Sequence, residues 1–339
     1  MDSRALIRLP HYTHYTEVRQ TTGRLQELHD LHALDGRAGF VFAPFMPSKQ
    51  EPILLIRPDS MEQHEVSMPK HLPAQRRVLD EETDKAQYMA DFNSFHKPLK
   101  QDLFRKIVLA RCSEQTTDET PLPDELFLHA CRLFPHLCVA LVSTSVSGTW
   151  LIATPEVFLE SMGLQWHTMA LAGTMEATTD EPCWSIKNQE EQRCVATYIR
   201  ECLKPFSTRI TEEAPHTSQA GHLLHLRSDF LFTLKNPSHL GALIAELHPT
   251  PAVCGMPKEE TRRFILRHEH APRRYYSGFM GLLAPEADTH LYVSLRCMQI
   301  DGNHYRLYAG GGLMKDSMPM QEWEETRAKL ETMQRCITL

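Results

Sequence analysis

The spacing of apolar residues changes several times along the chain, and each change marks an element. From Leu79 the pattern turns helical: Asp80 offers a capping side chain, acidic residues fill the first turn, and the helix is predicted to run to about Lys100. KIVLARCSEQ (106–115) then alternates as a strand does, and DELFLHACRLF (124–134) returns to helical spacing. Three strand-like runs follow, VALVSTS, TWLIATP and VFLESM, parted by small or turn residues. Residues 185–204 read as an amphipathic helix, 221–234 as extended chain, and two more helices fall near 239–247 and 258–270. HLYVSLRCMQI and HYRLYAGGGLM are predicted to be two strands joined by Asp301-Gly302-Asn303, a strong hairpin turn. A helix from about Pro319 to Cys336 closes the chain. Residues 1–78, rich in His, Pro and polar residues, read as short strands and loops. Strands mixed with separate helices, without regular β–α alternation, indicate an α+β fold.

Composition narrows the functional classes. The 339 residues suffice for one large domain or two modest ones, and 42% hydrophobic with 23% charged residues is an ordinary globular balance. A formal net charge of −7 argues against a general nucleic-acid binder. A small anionic substrate would therefore need a local cationic pocket. The nine cysteines are scattered and never form a CxxC pair, which fits reduced thiols in a cytosolic protein. The start, MDSRALIRLP, lacks the apolar stretch of a signal peptide, and no run approaches the roughly 18 apolar residues of a membrane helix. The expected location is cytoplasmic, without a membrane partner.

Several groupings offer chemistry. Glu322, Glu325 and Lys329 share one helical face, directly after YAGGGLM, where successive glycines permit close backbone approach to a ligand. A metal-binding carboxylate pair beside an anion-binding lysine would look like this, and so would a solvated salt-bridge ladder. The helix at 185–204 opens with Lys187, Glu190 and Glu191; a hard cation such as magnesium takes carboxylates from different elements, and Glu191 with Glu325 would suit it. Lys106 begins an otherwise apolar strand, where a lysine ordinarily snorkels to solvent but, if enclosed, serves as a general base. Glu156, in TPEVFL, reads either as an exposed turn carboxylate or as an acid. The segment LHPTPAVCGMPKEE (247–260) defines a rigid loop of the kind that lines sites. His11 and His14 sit in a loop-like stretch without acidic or cysteine companions, and His268 and His270 read as surface residues, so neither pair makes a convincing metal site. No dinucleotide fingerprint is present.

Taken in order, KIVLAR, TPEVFLE, LAGT, LHPTPAVCG with MPKEE, RRYYSGFMG, SLRC, LYAGGGL and EWEETRAK resemble the chorismate-utilising enzymes, most closely the isochorismate synthases. The resemblance runs continuously over residues 79–339, whereas 1–78 are divergent and short. It implies a single domain over 1–339: a chorismate-utilising α+β fold, two stacked antiparallel sheets flanked by helices with the site between them. By similarity Lys106 activates water for attack at C2 of chorismate, and Glu156 protonates the departing C4 hydroxyl. Glu191 and Glu325 hold Mg2+ against the ring carboxylate, with Glu322 helping through water. Arg296 grips a substrate carboxylate, for which a guanidinium fork is well shaped. Gly173, Thr174, Gly312 and Lys329 match further substrate contacts, and His225 and Ala252 face the pocket.

The implied activity is that of an isomerase needing no redox cofactor and no obligatory glutaminase subunit. Salicylate synthase, which adds pyruvate elimination, is the alternative within the family, and a silent chorismate-binding subunit the alternative outside catalysis. The nucleophilic lysine that aminodeoxychorismate synthases carry before Gly-Thr is absent from Leu171-Ala172-Gly173-Thr174. Departures from the family pattern are Gly311, often alanine, Arg273-Arg274, often Arg-Gly, and a short connection between LAGT and the Glu191 helix that bears on how the site closes. The isochorismate so formed would serve menaquinone, siderophore or salicylate biosynthesis.

Overall fold

A computed structural model describes residues 3–177, 183–220, 223–285 and 287–338. Six helices stand among the described residues: α1 (Glu81–Lys100), α2 (Pro123–Leu133), α3 (Ile186–Leu203), α4 (Leu240–Leu247), α5 (Lys258–His268) and α6 (Pro319–Ile337). Their starts follow local chemistry. Asp80 accepts from the Thr83 N–H at 3.3 Å, Ser185 accepts from the Asn188 N–H at 3.2 Å, and α2 and α6 each carry proline in the first turn, where a missing N–H costs nothing. None of these helices is long and apolar enough to cross a membrane.

Among the described residues, two ten-stranded antiparallel sheets stack face to face. The first runs in the order Gly255–Met256, Lys106–Thr117, His304–Leu313, Cys297–Asp301, Gly148–Thr154, Cys138–Thr144, Ser3–Arg8, His14–Gln20 and Ser60–Glu65. The second runs Ser207–Glu212, Leu223–Leu234, Gln165–Glu176, Val157–Met162, His290–Val293, Phe279–Leu283, Gly39–Ala43, Ile53–Ile56 and Gln26–Leu28. Arg76–Val78 and His216–Ala220 add short pairings at one edge of each. The divergent residues 1–78 thus supply strands to both sheets.

Period-2 burial explains the layering. Phe42, Trp150, Met169, Tyr275 and Tyr308 fill the space between the sheets, with Phe42 stacked on Tyr275 at 4.2 Å between centroids. Val195, Ile199, Leu243 and Ile244 seal α3 and α4 to the outer face of the second sheet. Phe127, Leu330 and Met333 do the same for α2 and α6 on the first, and Phe92, Phe95 and Ile265 bring α1 and α5 over the same sheet.

Three departures from the sequence expectation matter for the site. HLYVSLRCMQI is not one strand: His290–Val293 belongs to the second sheet and Cys297–Asp301 to the first, and residues 294–296 cross between them. Arg296 makes that crossing in the left-handed region, φ 46°, a turn that an uninterrupted apolar pattern does not announce. Gln165–Glu176, twelve residues long, is a strand that its small-residue pattern hides. The extended run expected over 221–234 starts at Leu223, with 221 and 222 outside the described residues, as are 178–182 of the short connection before α3.

Candidate active site

A small cavity lies where the two sheets, the 294–296 crossing, α3 and α6 come together. Its walls include Glu156, Gly173, Thr174, Glu191, His225, Ala252, Arg296, Gly312 and Lys329, so the structure gathers nine residues singled out in the sequence from at least six separate elements. Tyr276, Val108, Leu171 and Val253 also line it. Of these Tyr276 had a sequence signal, the RRYYSGFMG run, that carried no assigned role.

Glu156 follows Thr154 and Pro155 at the point where the chain leaves the first sheet for the second. It is 2% exposed, so the exposed-turn alternative does not hold. Burial pushes its carboxyl up to about 8, against the opposing pull of Lys106, Arg296 and Lys329. It is therefore largely protonated at neutral pH. Lys106, 0% exposed, stands one layer behind the wall, and its Nζ lies 2.9 Å from Glu191 Oε1. A Cβ on Gly312 would sit 2.1 Å from Glu191 Oε1 and 2.8 Å from Lys106 Cε, so glycine is what lets this pair stand beside the strand.

The strand Gln165–Glu176 shifts register between Ala172 and Thr174, with Gly173 at φ 74°. This bulge brings the Gly173 carbonyl to His225 Nδ1 at 3.0 Å, while His225 Nε2 lies 3.0 Å from Arg296 Nη2. A carbonyl only accepts and a guanidinium only donates, so the ring is the neutral tautomer with hydrogen on Nδ1. Burial, together with Arg296 and Lys329, holds His225 well below the usual histidine range. Burial likewise lowers Arg296 to about 10, which leaves it charged at neutral pH.

On α6 the predicted face is real, but it points inward rather than to solvent. Lys329 Nζ lies 2.6 Å from Glu325 Oε1 and donates to the Gly310 carbonyl at 3.0 Å. Lys187 of α3 reaches across and pairs with Glu322, which is 1% exposed. Burial and the adjacent Glu325 push the Glu322 carboxyl up. Burial opposes ionisation of Glu325 too, yet Lys329, Lys187 and the Thr174 hydroxyl outweigh it and draw its pKa down. Each of the three carboxylates thus carries a lysine: Lys106 on Glu191, Lys187 on Glu322, Lys329 on Glu325.

The donor set fits a hard divalent cation. Glu322 Oε2 is buried with no hydrogen-bond partner, an acceptor that is costly to leave unmatched. It and Glu325 Oε1 both flank Gly311, and Glu191 flanks Gly312. The three do not form a closed ligand cluster: among the described residues only Glu213, His216 and Asp229 bring three ligand atoms within 4.8 Å of one another, and Asp229 is already engaged by His167 and Arg227. The weak histidine candidates resolve plainly. His11 faces His136, not His14, and His268 and His270 are exposed, while Glu269 between them pairs with buried Arg273. Arg273 in turn donates to the Val108 and Val253 carbonyls, bracing two stretches of the cavity wall.

Comparison with known proteins gives the family of the chain. Residues 49–338 match the family model described as chorismate binding enzyme. The chain is 34% identical over 249 residues to the isochorismate synthase DhbC of Bacillus subtilis (strain 168), covering 68% of this chain and 63% of that protein. It is 29% identical over 238 residues to the isochorismate synthase EntC of Escherichia coli (strain K12), covering 67% and 61%. The matched part thus spans somewhat less than two thirds of these relatives' length. Among solved structures, the menaquinone-specific isochorismate synthase MenF from Escherichia coli superposes with a TM-score of 0.81 at 20% identity, over 99% of this chain and 89% of that one. Anthranilate synthase component I from Streptococcus pneumoniae TIGR4 gives 0.71 at 14%, over 98% and 91%, so this likeness speaks for a shared fold. The chain belongs to the chorismate binding enzyme family.

Proposed function

We propose that the chain is an isochorismate synthase, a magnesium-dependent isomerase that interconverts chorismate and isochorismate. The observation that carries this reading is the pairing of opposites in one cavity: a buried carboxyl displaced to about 8 faces the same space as the Arg296 and Lys329 cations. A dianion with a hydroxyl to lose needs that combination, because hydroxide leaves only as it is protonated. The names of the relatives DhbC and EntC support the same reaction.

In this mechanism water adds at C2 while the C4 hydroxyl departs. Lys106 takes the proton from the attacking water, which requires its pair with Glu191 to open. Glu156 gives its proton to the leaving hydroxyl, which departs as water. One water enters, one leaves, and the protons balance. Arg296 and Lys329 hold substrate carboxylates, with Gly173, Thr174, His225, Ala252 and Gly312 shaping the pocket. Glu191 and Glu325, with Glu322 behind them, would hold Mg2+; the bound ion would supply a Lewis-acidic anchor for the ring carboxylate. The substrate is a soluble small molecule, and a cytosolic setting suits it.

Product analysis by chromatography, with purified chain, chorismate and magnesium, with and without ammonium, tests the reading. Isochorismate in magnesium-dependent equilibrium with chorismate, indifferent to ammonium, supports it. Salicylate with pyruvate, an ammonium-dependent product, or no product at all would overturn it.

A further inference from the structure

We propose that His225 is the positioning residue for Arg296: its ring, locked by the Gly173 carbonyl, accepts from Nη2 and aims the rest of the guanidinium at a substrate carboxylate. The inference rests on the reading of Arg296 as the carboxylate's partner and assigns to His225 a task other than touching substrate.

Hydrogen-bond accounting carries it. The Gly173 carbonyl takes the Nδ1–H at 3.0 Å, and Arg296 Nη2 takes the Nε2 lone pair at 3.0 Å. A neutral imidazole has one donor and one acceptor, and both are consumed. No polar atom of His225 is left for a ligand, so its influence on one passes through Arg296. The arginine needs such a partner. It sits on the crossing between sheets at φ 46°, outside any strand, and among the described residues His225 is the one hydrogen-bond partner of its guanidinium. A long side chain held at one end keeps its remaining N–H edges in a fixed fork, which is what bidentate recognition demands. The anchor is rigid in turn. The Gly173 bulge turns that carbonyl toward the neighbouring strand, and a Cβ there would sit 3.1 Å from the Asn188 Cβ, at a left-handed φ that favours glycine. Bulge, ring and guanidinium thus form a chain of three parts in which each fixes the next, as outer partners orient the ligands of a metal.

A double-mutant cycle on the full chain tests it, with chorismate KM and kcat as readouts. His225→Leu removes the acceptor and is expected to raise KM about 10-fold or more, with kcat moving less. His225→Gln, whose amide can both donate to Gly173 and accept from Arg296, is expected to recover KM to within about threefold of the parent. In an Arg296→Met background His225→Leu should add nothing. Equal effects of His225→Leu in both backgrounds, or an unchanged KM, would overturn the positioning role. An unchanged KM in Arg296→Met alone would instead sink the carboxylate-gripping reading on which it rests, and the positioning role with it. Should the leucine variant fail to fold, 15N-histidine NMR of the parent, assigned by difference against His225→Gln, decides: the Nδ1–H tautomer is expected, and an Nε2–H tautomer would refute the arrangement.

Discussion

At the scale of single residues, Glu156 shows how burial keeps a carboxyl protonated. Its ordinary value near 4.5 is pushed up to about 8 by burial, so the native state prefers the proton across that window. A group with a raised folded value contributes stability that is full below about 4.5 and is lost as pH rises through about 8. Each unit of displacement corresponds to about 1.4 kcal/mol. Glu156→Gln, neutral at every pH, is therefore expected to melt higher than the parent at pH 7, by an amount on the order of a few kcal/mol at most, with the gap closing toward pH 4.5. The same variant should lose turnover by about 10²–10⁴-fold. In the parent, kcat should fall as pH rises through about 8, because the acid must carry its proton. Melting curves and a pH–rate profile check these together; a Gln variant that melts lower than the parent at pH 7 would contradict the buried-acid account. For the base, Lys106→Ala is expected to bind chorismate within a few-fold of the parent and to lose about 10²–10⁴-fold in kcat. Unchanged turnover would remove Lys106 from that role.

At the scale of elements, adjacent glycines in one strand make a sharp contrast. A Cβ at Gly312 collides with Glu191 Oε1 and Lys106 Cε, whereas one at Gly311 meets its nearest neighbour, Glu322 Oε2, at 3.4 Å, ordinary contact. Gly312→Ala should thus displace the Lys106–Glu191 pair and cost at least about 100-fold in activity, while Gly311→Ala should stay within about threefold. Steady-state kinetics on the two variants decide it, and equal losses would mean that the strand does not discriminate as drawn. Elements were legible where local chemistry sets them. Asp80 announced α1, the amphipathic spacing of 185–204 announced α3, and the two-residue turn at Gly302 and Asn303 its hairpin. The split of 290–300 was not legible, because both halves are apolar and only the second sheet's position tells where the chain must cross. Glu156 looked like a turn residue for the same reason: its burial is made by strands and helices remote in sequence. Arg274 is a related case. It occupies φ 53°, a region that favours glycine, and it is held there by Glu51 and Gln299.

At the scale of the molecule, a chain of net charge −7 lines one cavity with Arg296 and Lys329 and sets Lys106 and Lys187 on the carboxylates beside it. These cations offset the general repulsion of a dianion, but three of them are spent on Glu191, Glu322 and Glu325. A divalent cation entering alone would crowd those lysines and Arg296, and a dianion entering alone would meet the carboxylates. Entering together, each supplies what the other displaces, since the carboxylates turn to the metal and the lysines to the substrate. The expected consequence is positive coupling, which must be reciprocal. In the Glu156→Gln chain, which should hold chorismate without converting it, magnesium affinity is expected to rise about 5-fold or more when chorismate is present, and chorismate affinity by the same factor. Calorimetric titration of each ligand with and without the other measures both arms. Glu325→Gln should raise the magnesium needed for half activity in the otherwise unaltered chain, and an unmoved titration would take Glu325 out of the metal site. Independent binding of the two ligands would mean that the lysines do not exchange partners. The three carboxylates would then have to be reached without opening their pairs.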